Sequence, residues 1–151
     1  MSRRGNPAAW VLLAVLLAGL WHQTGRLASR LTAGLLLHRV ELSTYEAVAT
    51  GRLPVAVATS NLEDLERAAR LDPIEVGIPL AHGSEYLLMR RPAEAIESYR
   101  RALAIEPRPE IYLNLGRAYA LDGRLMEAQE SFRTALRLDP SFFSQVPEGF
   151  R

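Results

Sequence analysis

Cysteine and lysine are both missing from this 151-residue chain. Without cysteine there are no disulfide frameworks, thiolate zinc sites, iron–sulfur clusters or cysteine nucleophiles. Without lysine there is no Schiff-base chemistry and no P-loop phosphate binding. Only three histidines occur, at 22, 38 and 82, too few and too scattered for the common metal-hydrolase spacings. Aromatic residues make up 7% of the chain, while leucine and alanine are its commonest residues, a balance that favours helix over sheet. A wholly disordered chain is equally excluded, since 48% of the residues are hydrophobic and 23% charged.

Charge is unevenly distributed. Residues 1–52 hold six arginines against two acids, and residues 53–151 hold twelve against fifteen. A weakly acidic body offers little clustered positive charge to displace counterions, so no nucleic-acid partner is expected.

From Pro7 to Gly25 the chain runs nineteen residues without an acid or an arginine. As a helix this is about 28 Å, close to the hydrocarbon thickness of a bilayer. Trp10 and Trp21 stand towards its two ends, where indole rings favour the headgroup boundary. The run is therefore expected to insert in lipid as an uncleaved signal anchor. The alternatives are a buried core helix, or a cleaved leader that would release a soluble periplasmic or secreted protein. Ala18-Gly-Leu-Trp-His22 is a poor small-x-small cleavage site. Arginines at 3 and 4 precede the run and arginines at 26 and 30 follow it, so the positive-inside count is nearly balanced. The short leader is expected to stay in the cytoplasm, placing the body beyond the inner (cytoplasmic) membrane. Further on, Leu27, Leu31 and Leu35 lie four apart, an amphipathic stripe that could extend the anchor as a stalk, lie on lipid or pack on the body.

The segments ending at Pro73, Pro107 and Pro140 close alike, 34 and 33 residues apart. Aligning the last two pairs Gly83 with Gly116, Tyr86 with Tyr119, Ala95 with Ala128, Tyr99 with Phe132 and Ala102 with Ala135. On these residues the chain resembles the tetratricopeptide repeat (TPR) family. From Tyr112 to Pro140 the pattern is matched almost throughout. Over 76–107 it departs at His82, where the pattern has leucine, and at Pro79, where it has an aromatic. The copy ending at Pro73 keeps only Leu65, Ala68, Leu71 and the proline. The resemblance implies an all-α solenoid of about two and a half to three antiparallel helix pairs. The expected layout is a basic leader (1–6), a transmembrane anchor (7–25), an amphipathic stalk (26–42), a degenerate unit (43–73), two repeats (74–107 and 108–140) and a capping tail (141–151).

Local signals add detail. Pro92 and Pro109 suit first-turn positions, and Ser43-x-x-Glu46 and Ser60-x-x-Glu63 read as capping boxes starting helices near 44 and 61. Glu63–Arg67, Glu66–Arg70 and Glu97–Arg101 have the favourable i,i+4 order and mark solvated faces.

No nucleophile with an orienting base is legible, so no enzyme and no cofactor is expected. His82 next to Ser84 and Glu85 does not form a catalytic set, because neighbours at i+1 and i+2 on a helix do not face each other. The resemblance implies instead a binding module for protein partners, whose groove would include Leu80, Ser84, Leu87, Leu113, Asn114, Arg117 and Ala120. Asn114 stands where chaperone-binding members often hold an asparagine against the ligand backbone, but the lysines those members use for a terminal carboxylate are absent. A mostly apolar groove with Arg117 as its cation is expected, although several of these leucines could equally pack internally. Phe142, Phe143 and Phe150 could cap the last helix pair or offer an apolar patch to another subunit. The expected role is a membrane-tethered adaptor that helps assemble a membrane protein complex.

Overall fold

The computed structural model describes residues 7–50 and 54–151, with side chains from residue 12 onward. Among the described residues six helices follow one another: α1 Pro7–Thr50, α2 Val55–Leu71, α3 Gly77–Leu88, α4 Pro92–Ile105, α5 Pro109–Leu121 and α6 Leu125–Leu138. Two 3-10 turns, Pro140–Gln145 and Glu148–Phe150, close the chain.

α3 with α4 and α5 with α6 form the two helix pairs anticipated from the repeat. Each is held by a close approach. A Cβ on Gly83 would meet the Tyr99 ring at 2.4 to 2.7 Å, and one on Gly116 would meet Phe132 at 2.7 to 3.0 Å. Ala95, Tyr99, Ala102, Ala128, Phe132 and Ala135 are wholly buried, so small and large residues interlock across the pair as close packing demands. Pro92 and Pro109 begin α4 and α5, where the missing N–H has no helical partner to lose.

The repetition extends to polar detail. Arg91 pairs with Glu94 and lies 5.0 Å from the Tyr86 ring, while Arg124 pairs with Glu127 and lies 4.6 Å from Tyr119. The turn after α5 is closed by Gly123 at φ 77°, with the Arg124 N–H donating to the Tyr119 carbonyl. Arg90 takes the same place after α3 at φ 56°, a left-handed conformation that is unfavourable for a side chain with a Cβ.

The amino-terminal half differs from the expected layout. The expected anchor, stalk and start of the first unit are one uninterrupted helix, α1, because nothing between 8 and 50 breaks it: proline is absent and the glycines are isolated. Ser43 therefore lies mid-helix and caps nothing; instead it hydrogen-bonds Asn61. Ser60 also lies inside a helix, since α2 starts after Pro54, whose carbonyl accepts from the Val57 and Ala58 N–H groups. The Leu27, Leu31 and Leu35 stripe faces outward. The face that packs is Ala33, Leu37, Val40 and Ala47. Of the three expected i,i+4 ion pairs, only Glu66 and Arg70 approach, at 4.0 Å.

Arg30 with Asp72, Arg39 with Asp64 and Ser43 with Asn61 bind α1 antiparallel to α2, making a third helix pair from residues 30–50 and 55–72. Leu37 and Val40 of α1, Leu65 and Ala68 of α2 and Ile78 of α3 form its core. A second core runs from α3 to α6 and takes in Val146 of the tail. Among the described residues, no helix is long and apolar enough to cross a membrane. Arg3 and Arg4 lie outside the described residues, as does the side chain of Trp10.

Candidate functional site

The first helices of the three pairs, α1, α3 and α5, share an open groove of about 360 Å³. α1 contributes Glu41, Thr44, Tyr45 and Val48, α3 contributes Gly77, Leu80, Ala81 and Ser84, and α5 contributes Asn114. Tyr45 and Val48 are 73% and 62% exposed although both carry large apolar surfaces. Their place follows from the 4-3-7 spacing of Ala33, Leu37, Val40 and Ala47, which turns the neighbouring face of α1 over the groove.

The floor is held from below. The Ser84 hydroxyl bonds the Leu80 carbonyl at 3.2 Å and lies 3.4 Å from the Tyr99 hydroxyl. Tyr99 is so deeply buried that its pKa is pushed up to about 12, Ser84 and Arg117 partly opposing the rise. Behind Thr44 lies a polar cluster. Glu85 is fully buried, and its Oε1 accepts from the Thr44 hydroxyl and, at 3.1 Å, from Asn61 Nδ2. Its Oε2 has no hydrogen-bond partner among the described residues.

Of the residues expected in the groove, Leu80, Ser84 and Asn114 line it. Leu113 does not: it is 2% exposed and belongs to the core, so it cannot touch a partner. Leu87 and Ala120 are half-buried against the same core. Arg117 is engaged internally, donating to Asn114 Oδ1 at 2.9 Å and to the Gln145 carbonyl at 3.2 Å. Partial burial holds its guanidinium below the ordinary arginine value.

The tail folds back on the last helix pair. Phe150 packs against Phe132 at 5.1 Å between ring centroids, Val146 is buried, and Phe142 rests on the core. Phe143 remains 54% exposed, with the Arg151 guanidinium 5.4 Å from its ring. Phe142 and Phe143 therefore sit at the end of the stack and not in the groove.

Sequence reasoning missed Glu41, Thr44, Tyr45 and Val48, because the louder leucine stripe upstream masked the weaker pattern that docks α1. His82 is packed: it is 8% exposed and stacks on Tyr86 at 6.3 Å. It borders a separate hollow of about 110 Å³ with Asp72 and Arg101. Among the described residues, no group of three or more His, Cys, Asp or Glu is arranged to hold a metal ion.

Residues 80–141 match the family described as tetratricopeptide repeat. The chain is also similar to a crystal structure of a thermophilic TPR protein from Thermus thermophilus. The two are 25% identical, with a TM-score of 0.66 over 94% of this chain and 78% of the other. No curated protein matches the chain.

Proposed function

We propose, from the tetratricopeptide match over residues 80–141, that this chain is a non-catalytic adaptor that binds a protein segment across α1, α3 and α5. Repeats of this kind generally mediate protein–protein interaction. The observation that carries the reading is the groove, where Tyr45 and Val48 expose apolar surface beside Leu80, Ser84 and Asn114 and none of the described residues covers them. Exposed apolar surface next to a few polar groups is the composition of peptide-binding sites.

A photo-reactive residue at Ser84 or Tyr45 in the full chain is expected to cross-link a discrete partner. Val48→Asp should abolish the adduct, and a probe at Glu130 on α6 should give none. Equal adducts from the groove and from Glu130 would sink the idea.

The adaptor is further proposed to be membrane-tethered at the inner (cytoplasmic) membrane, with the repeat body beyond it, where it would help assemble a membrane complex. Support comes from the start of α1. Leu16, Leu17, Leu20 and Trp21 are 57% to 82% exposed, and in the sequence the apolar run reaches back to Ala8. Surface of this extent rarely stays bare in water. After a carbonate wash the chain is expected in the membrane pellet. Its recovery in the supernatant would remove the tether and leave the groove reading standing.

A further inference from the structure

A second cleft, of about 790 Å³, lies between α1 and the corner joining α2 to α3. One wall carries His22, Arg26 and Arg30. These residues are four apart, so they stand above one another on a single face of the helix. The facing wall is the α2–α3 corner, with Asp72 and an Ile74 that is 64% exposed. Trp21, 82% exposed, stands at the end of the cleft next to the apolar arm.

Charge in the cleft is unbalanced. Asp72 is its one acid, and it is engaged with Arg30 at 3.4 Å. Arg26 forms no ion pair among the described residues. One guanidinium and one imidazole are thus left facing an open cavity of ligand size. The ladder also begins where the apolar run ends: the exposed leucines of residues 12–20 continue directly into Trp21, His22 and Arg26 along one rigid helix. Apolar surface, then an indole, then cations is the order of chemistry met on leaving a bilayer with anionic headgroups.

We infer that this cleft is a binding site for the headgroup of an anionic phospholipid, with Arg26 and His22 on the phosphate and Ile74 in the interfacial layer. The site would hold the repeat body against the membrane surface in a fixed orientation. The inference rests on the tethered reading above, and its test separates the two.

The experiment is flotation of the full chain with vesicles of phosphatidylcholine alone and of phosphatidylcholine mixed with phosphatidylglycerol. Stronger flotation with the anionic vesicles is expected. The His22→Gln, Arg26→Gln double variant should lose most of that preference, about fivefold from the Arg26 charge near the surface, and still float with neutral vesicles. Arg137→Gln, which removes an exposed charge on α6, should change nothing. Circular dichroism establishes that each variant keeps its helices.

Equal flotation with both vesicle types would overturn the headgroup site while keeping the tether. Equal losses from Arg137→Gln and the double variant would assign the preference to net charge and overturn the site. Saturation by inorganic phosphate at matched ionic strength, abolishing the preference, would make the cleft a free-phosphate site instead. Failure to float with either vesicle, with the chain dimeric in solution, would assign the apolar arm to a second copy and overturn both readings.

Discussion

Two glycines 33 residues apart set the distance between paired helices. Gly83 and Gly116 lie against aromatic rings that are themselves fully buried, so the rings cannot move aside for an added methyl group. Gly83→Ala or Gly116→Ala should each cost about 1–3 kcal/mol by overpacking, read as a lower midpoint in chemical denaturation. Glu97→Gln, on an exposed face, should leave the midpoint in place. His82 occupies the position of Leu115 in the next repeat, and burial, with Arg101 reinforcing it and Glu66 opposing, holds its pKa below the ordinary value. The folded state thus binds a proton less readily than the unfolded chain. The stability tied to His82 is present above the ordinary histidine value and is lost as pH falls through the folded one. His82→Leu should flatten the stability profile below the ordinary histidine value, and a profile unchanged by the substitution would exclude His82 as its source.

At the scale of elements, α3 to α6 were legible because their signals were strong and repeated: small residues opposite aromatics, prolines at helix starts, a fixed period. α1 was not. Its outward leucines are larger and more regular than the Ala33, Leu37, Val40 and Ala47 that pack, and the sequence carries no break to show where an arm becomes part of a helix pair. What specifies that docking includes the polar cluster, whose members are scattered at 43, 44, 61 and 85. No periodicity can reveal it, since Glu85 stands where the next repeat has Ala118. Asn61→Ala would leave the buried Glu85 carboxylate with one donor fewer and should destabilise the fold by roughly 1–3 kcal/mol. Glu85→Met should be neutral or stabilising, because Thr44 retains the Val40 carbonyl and Asn61 retains Ser43. Thermal denaturation of both variants measures the order, and a larger loss from Glu85→Met would refute it.

Across the whole molecule, the stack has two unlike ends. The carboxy-terminal end is closed by Val146, Phe142 and Phe150, with Arg117 and Arg151 donating to tail carbonyls. Removing residues 141–151 would bare Phe132 and the α5–α6 flank. Burial of two phenylalanines is worth roughly 3–6 kcal/mol before entropy is subtracted, so the shortened chain should melt earlier and self-associate in analytical ultracentrifugation. Unchanged melting would deny the tail a capping role. Among the described residues the other end has no such lid, and α1 runs past it. A helix of 44 residues is a beam about 66 Å long, clamped on the body from Arg30 to Ala47, with the groove residues Tyr45 and Val48 at the held end and the apolar arm as the overhang. A load on the arm falls first on the Arg30–Asp72 and Arg39–Asp64 contacts, which stand between the overhang and the groove. Gly25→Pro would notch the beam inside the His22 to Arg26 ladder, and is expected to weaken the preference for anionic vesicles while leaving groove cross-linking in place.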